Sequence, residues 1–385
     1  MIRPPKKQLV NWQECMNVSA KHFIQTEDFF IDSARDYASL GLTNANYGLL
    51  PSTEGKDNSN GIRISEHVTG HIEIKLLHCN AITASGIRIN FNPEDGAYLI
   101  KNYSPESASK NKTGAEVKQW DVILVSNPFQ RIPTGDLDPQ ETPPRHPNAE
   151  TAYELHVMPS GELNTLDFGL HHLTIGRIRK SADRYEVDGN YIPPCTSMAS
   201  HPDLLDYYNH LGQQLSSIEK SSRAIISKVL NRQNESVLAE NIRYVCEDML
   251  RYISSIYFDF RNKGRYLPPI DIVKYFSTLA HVCFVSLNFL KSHEKEELLK
   301  YFYEWSDITP GTFEETLANT LEILYHHDKI RSTMIQIDGF MTNLSDLWIK
   351  LSQLDYIGQH KESIIVSERI IQQESSQKSK WSIID

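Results

Sequence analysis

Paired cysteines are missing from this chain. Its five cysteines, Cys15, Cys79, Cys195, Cys246 and Cys283, are odd in number, scattered, and form no CxxC spacing. That excludes a disulfide framework or a zinc ribbon and points to a reducing compartment. Basic residues are also in deficit: 39 Lys and Arg stand against 49 Asp and Glu, for a net charge of −10. A nucleic-acid binder needs a cationic footprint to displace counterions from phosphate, so that class is excluded. The longest near-continuous apolar run, Ala280–Leu290, is about half of the ~20 residues a membrane span requires. The opening stretch MIRPPKKQLVNWQE has charge but no apolar core of a signal peptide. There is no GxSxG, no GxGxxG and no phosphate-cradling glycine loop. The expectation is a cytoplasmic protein that is no enzyme and holds no cofactor or metal.

One histidine cluster needs weighing. HVTGH places His67 and His71 four apart, near His78 and Cys79. A zinc metalloprotease carries Glu after its first histidine, on a helix; here the next residues are Val68, Thr69 and Gly70, which disfavour one. On a strand running through HIEIKLLHC, His71 and Cys79 would share one face and His78 the other, so the set does not converge. The pairs His171-His172 and His326-His327 diverge for the same reason. Ordinary packing or surface histidines fit better than ligands.

What the chain does have is a change of texture near Asn190–Leu215. Before it, GIRIS (61–65), HIEIKLLHC (71–79), GIRINF (86–91), AYLIK (97–101), WDVILV (120–125), YELHVM (153–158) and HLTIGRI (172–178) read as short strands. Asp188-Gly189 is a hairpin-turn dipeptide. Lys101–Gly114 and the proline-rich 132–148 read as loops, the second extended. An antiparallel sandwich or barrel is expected. An earlier helix is expected from a Ser19 cap to a stop at Gly41, with Phe23, Phe30 and Ala34 forming its packing face.

After the change the chain reads as helices. Leu204, Tyr208, Leu211, Leu215, Ile218, Ile225 and Val229 alternate four and three apart, with Ser222 filling the missing rung. This is the seam of a helical bundle or an oligomer. A second helix over 235–260, a third opening at Pro268-Pro269, a fourth around Leu298–Trp305 and a fifth opened by a Thr312–Glu315 capping box predict an up-and-down bundle. A last stripe carries Met334, Ile337, Met341, Leu344, Trp348 and Leu351, and SIIVSERII follows.

Trp12, Glu14, Met16, His22, Phe23 and Gln25, in NWQECMNVSAKHFIQTED, followed by Tyr47-Gly48-Leu49, resemble the opening motif of the TssK family of type VI secretion baseplate subunits. The family motif reads approximately W-x-E-G-M-x-L-x-P-Q-H-F-Q-Q and then Y-G-L. Cys15 stands where the family has glycine, Ala20 and Lys21 replace Pro-Gln, and Ile24 replaces the first glutamine, as in a divergent, Bacteroidota-like branch. PPC at Pro193–Cys195 resembles the junction between the family's shoulder and neck. The resemblance implies an α+β, multidomain fold: an antiparallel β-sandwich or barrel shoulder (1–195), a helical-bundle neck (196–329) and a reduced C-terminal, head-like region (330–385).

It further implies a homotrimer that links the TssF–TssG wedge to the membrane-anchored complex, peripheral to the inner membrane through partners and not inserted in it. On that reading the N-terminal motif residues are wedge-interface candidates and the Leu204–Val229 seam serves the bundle or the oligomer. Met341, Trp348 and Leu351 become candidates for facing the membrane complex. A phage-tail-like receptor- or carbohydrate-binding module is the alternative; a hydrolase with an unrecognised site comes third.

Overall fold

The structure, a computed structural model, describes residues 6–51, 61–67, 70–93, 97–105, 118–162, 171–181, 184–231, 236–306 and 308–361. The fold is α+β, with a strand-rich first part and a helical second part. The chain divides into two compact units. The first comprises Met1–Asp206, Arg265–Ile270 and Tyr325–Ser332; the second comprises Tyr207–Gly264, Asp271–Leu324 and Thr333–Asp385.

In the first unit, helix α1 (Ala20–Ser39) precedes ten strands: β1 (Gly48–Leu49), β2 (Ile62–Glu66), β3 (Ile72–Leu76), β4 (Cys79–Ile82), β5 (Arg88–Phe91), β6 (Leu99–Tyr103), β7 (Gln119–Thr134), β8 (Asn148–Pro159), β9 (His172–Ser181) and β10 (Arg184–Val187). They form three antiparallel sheets, in the orders β1-β4-β5, β2-β3-β6 and β10-β9-β7-β8. Period-2 alternation explains β3, where Ile72, Ile74 and Leu76 are buried and Glu73 and Lys75 are not. β7 is apolar at successive positions, and Val122, Ile123 and Leu124 are all fully buried where it lies between β8 and β9. Beyond Val125 it pairs with β8 alone, and the proline-rich stretch closes that hairpin.

Two local expectations change. The run HIEIKLLHC is two strands, because the Leu77 N–H donates to the Gly61 carbonyl (2.5 Å) and the chain turns before Cys79. Asp188-Gly189 is a turn, with the Tyr191 N–H donating to the Asp188 carbonyl, but it leads out of β10 and joins no hairpin pair.

The helices are α2 (Pro202–Asn231), α3 (Val237–Lys263), α4 (Pro269–Asn288), α5 (Ser292–Ser306), α6 (Pro310–Leu321) and α7 (Ile330–Gln353). α6 starts earlier than its expected capping box: Thr309 is the cap, its side chain accepting from the Thr312 N–H at 3.2 Å. Within the second unit, Tyr208 on α2 donates to the Phe260 carbonyl on α3 (2.9 Å), so those helices run antiparallel. α7 instead runs parallel to α2. His210 pairs with Asp338, the Gln214 side chain donates to Thr342, and Lys228 Nζ donates to the Ser352 carbonyl. α4, which holds most of the apolar run, is 20 residues long and apolar enough by composition to cross a membrane. Its stripe of Ile272, Phe276, Leu279, Cys283 and Leu287 is buried. The stretch 362–385, with SIIVSERII, lies outside the described residues, as does most of the Lys101–Gly114 loop.

Candidate functional site

α1 is amphipathic the wrong way round for a core helix. Its buried residues are Asp28, Asp32, Arg35 and Ser39, spaced four, three and four. Phe23, Phe30 and Tyr37 are 58%, 61% and 76% exposed. The expectation that Phe23, Phe30 and Ala34 pack inward is therefore overturned. The reason is electrostatic. Asp32 accepts from the backbone N–H groups of Lys6 (2.6 Å) and Lys7 (3.0 Å) and from Arg35 Nε (2.7 Å). Arg35 also reaches the Ser85 carbonyl. Asp28 takes Arg131 Nη2 from β7 at 2.8 Å and Lys7 Nζ at 3.2 Å, and Lys7 lies over the Phe129 ring. Buried charge is tolerated only when paired and hydrogen-bonded in this manner. Burial pushes the Asp28 and Asp32 carboxyls up, but the hydrogen bonds from Arg131 and Lys7, and from Arg35 and the two backbone N–H groups, outweigh it and hold both below the ordinary carboxylate range.

The N-terminal segment is arranged around the start of α1. His22 caps the helix: its Nδ1 accepts from the Ser19 N–H at 3.1 Å. Trp12 sits against His22 and Phe23, with ring centroids 6.1 and 6.2 Å away, and stays 49% exposed. Glu14 and Gln25 are exposed and Met16 is half-buried. Trp12, His22 and Phe23 are thus brought together on a surface, with His22 also serving its own helix. Cys15 is the one non-glycine with positive φ (63°) among the described residues. That is a conformation glycine adopts at no steric cost.

The Tyr47-Gly48-Leu49 tripeptide is structural. Gly48 (φ 113°) approaches the backbone at Pro194 so closely that a Cβ would lie 1.9 Å from its carbonyl oxygen. Leu49 N–H donates to the Pro194 carbonyl and Thr196 N–H donates to the Leu49 carbonyl, joining β1 to the PPC junction. The Tyr47 carbonyl accepts from His327 Nε2 at 2.8 Å, and His327 Nδ1 meets the Tyr325 hydroxyl at 2.8 Å. Burial pushes the His327 imidazole below its ordinary value.

Against this geometry, the comparisons with solved structures are specific. A crystal structure of TssK matches with a TM-score of 0.52 and 14% identity, over 88% of this chain and 69% of that one. The chain has the TssK fold. TssK from the EAEC type VI secretion system, in complex with nanobody nb18, matches with a TM-score of 0.48 and 12% identity, over 84% of this chain and 99% of that one. A chain of the cryo-electron microscopy structure of a type VI secretion system TssK–TssF–TssG baseplate subcomplex gives 0.49 and 12%, over 88% of this chain and 99% of that one. No model of a protein family matches the sequence, and no curated protein does.

Cys15, read from the sequence as a departure from a motif glycine, holds a left-handed backbone. The other candidates are placed as follows. Leu204, Leu211, Leu215, Ile218, Ile225 and Val229 are buried within the chain and Tyr208 is half-buried, hence the seam is mainly a core stripe. Met341, Trp348 and Leu351 are 0%, 1% and 0% exposed, so these side chains offer no surface to a membrane complex; α7 is a core helix. His67 and His71 meet through the backbone, the His67 N–H donating to the His71 carbonyl at 2.9 Å, and burial pushes the Cys79 thiol up to about 12. Among the described residues no group of three or more His, Cys, Asp or Glu is placed to hold a metal ion. The outward aromatic face of α1 was missed in the sequence; its signal was the spacing of Asp28, Asp32 and Arg35 on the opposite side.

Proposed function

We propose that the chain is a baseplate subunit of a type VI secretion system, working as a trimeric adaptor on the cytoplasmic side of the inner membrane. It joins a TssF–TssG wedge to the membrane-anchored complex, and its work is done by shape and burial, with no reaction and no cofactor. The observation that carries this reading is the TssK fold over 88% of the chain. The motif that starts the resemblance is also where an exposed Trp12–Phe23 cluster lies. In this reading 1–195 is the shoulder, 196–329 the neck, and 330–385 stands in sequence where the head would follow. Trp12, Glu14, Met16, His22, Phe23 and Gln25 face the wedge; aromatic anchors of this kind dominate protein interfaces.

The test is capture of purified TssF–TssG by the full-length chain, with oligomeric state followed by light scattering. Trp12→Ala is expected to weaken wedge capture about tenfold or more, the loss typical of an interface anchor, while leaving the trimer intact. A protein that stays monomeric and captures no wedge component would overturn the reading. Unchanged capture by Trp12→Ala, and by a chain lacking Trp12–Gln25, would remove the motif from the interface and leave it a purely structural element.

A further inference from the structure

The outward face of α1 has an order that exposed apolar residues ordinarily lack. Phe23, Glu27, Phe30, Ala34 and Tyr37 on α1, and Gly41 in the turn just past its end, follow one another at gaps of four, three, four, three and four. That is a coiled-coil seam, and here it faces solvent. Along it, large aromatic rings alternate with small or acidic residues: Ala34 is exposed, Glu27 keeps 64% of its side chain in solvent, and a Cβ added at Gly41 would meet nothing within 4 Å.

We propose that this face pairs with the same face of a second copy of the chain, antiparallel, about a twofold axis. Antiparallel seams place each position of one row opposite the other row of the partner. The pattern then becomes self-complementary in one register. Phe30 of each copy seats over Ala34 of the other, Phe23 over Gly41, and the Tyr37 hydroxyl donates to the Glu27 carboxylate. Every contact occurs twice, as an isologous interface requires. A slip of one heptad would also put Phe23 over Ala34, but it would lay the Glu27 carboxylate, which Arg131 Nη2 holds at 3.2 Å, against the Phe30 ring in place of the Tyr37 hydroxyl, which costs desolvation. The extent suits a pair of copies. Trp12, Phe23, Phe30 and Tyr37, at about 150–250 Å² each and half to three-quarters exposed, leave roughly 500 Å² of aromatic surface in water. With Ile24 and Leu40, also exposed, the face approaches the ~800 Å² each partner contributes to a stable interface, and exceeds the few hundred Å² of an ordinary patch.

The proposal goes beyond the baseplate reading and stands without it: trimers would pair into six-subunit particles, monomers into dimers. Because Phe23 belongs both to this face and to the wedge candidates, pairing is expected in the protein free of wedge, and wedge would compete with it.

The experiment is sedimentation of the full-length chain without partners across the micromolar range. Wild type is expected to double its mass with concentration, and Phe30→Glu to abolish the doubling. Ala34→Leu is the decisive variant. It adds apolar surface at an exposed helical position, so general stickiness would tighten association, whereas filling the hollow that receives Phe30 is expected to weaken pairing at least about tenfold. Unchanged circular dichroism melts keep both variants interpretable. Wild type that never doubles, or Ala34→Leu that associates more tightly, would overturn the proposal. So would partition onto phosphatidylcholine–phosphatidylglycerol vesicles, or capture of TssF–TssG through Phe30, in a protein that does not self-pair.

Discussion

Replacing Gly48 by alanine is the sharpest test of how the first unit is held together. Gly48 combines a left-handed backbone (φ 113°) with a close approach, a Cβ falling 1.9 Å from the Pro194 oxygen and 2.2 Å from its carbonyl carbon. The backbone strain alone costs about 1 kcal/mol. Relieving the clash requires β1 to move off the PPC junction. That disrupts the 2.8 Å bond from Leu49 N–H to Pro194 and the 2.9 Å bond from Thr196 N–H to Leu49, at about 1 kcal/mol each. A total near 3–4 kcal/mol lowers the melting temperature of a unit of about two hundred residues by roughly 10 °C. Gly161 supplies the control. It also has positive φ (86°), but nothing lies within 4 Å of an added Cβ, so Gly161→Ala is expected to cost only the strain, about 1 kcal/mol. The assay is calorimetry of the two full-length variants beside wild type. If Gly48→Ala melts no lower than Gly161→Ala, the close approach does not support the fold as argued.

Three further outcomes follow from the same structure. Cys15→Gly is expected to stabilise the chain by up to about 1 kcal/mol, because Cys15 holds φ at 63°; a lower melting temperature would contradict it. Leu211→Asp puts a carboxylate at a fully buried position, and is expected to cost about 3 kcal/mol or more and to abolish folded helical signal, not merely dissociate subunits. Burial pushes the His327 imidazole below its ordinary value near 6.5, so the neutral form is favoured by folding. The stability this contributes is whole above pH 6.5 and is lost as pH falls toward the folded value. Urea midpoints measured from neutral to mildly acidic pH are expected to decline, and His327→Gln, which keeps a donor for the Tyr47 carbonyl, to flatten part of that slope. His171, also lowered by burial and by Arg35, accounts for a remainder.

Legibility in the sequence followed the range of the interactions. The strands around Ile72–Leu76 and Val122–Val125 and the helix carrying Leu211 and Leu215 were readable because alternation and heptad spacing are local. α1 was not readable from its apolar residues. Its burial is decided by Lys7, Ser85 and Arg131, which lie 21 to 103 positions from the residues they hold. Spacing also does not tell a core stripe from an interface stripe, so Met341, Trp348 and Leu351, read as partner-facing, are interior. The Tyr47-Gly48-Leu49 tripeptide was picked out by resemblance alone. Its physical content, a left-handed glycine against Pro194 and a carbonyl held by His327, needs residues about 150 and 280 positions away.

Two heptad seams in one chain therefore have opposite fates, and their chemistry says why. The Leu204–Val229 row is mainly branched aliphatic and its opposite face is polar, so burying the row is the low-energy arrangement. On α1 both faces ask for burial: an aromatic row on one side, and on the other Asp28, Asp32 and Arg35 meeting fixed partners from β7 and the N-terminal segment. The charged face wins the interior because its partners are already positioned there. Turning the helix over would take Asp28 away from Arg131 and Lys7, and Asp32 away from the Lys6 and Lys7 N–H groups, in exchange for burying apolar rings. The fold thus holds roughly 500 Å² of aromatic surface in water, worth about 12 kcal/mol in gross transfer free energy before association costs are subtracted. The ionic clamp is therefore what keeps the aromatic row presented: the chain gains the paired carboxylates, and the row is left available to whatever surface covers α1.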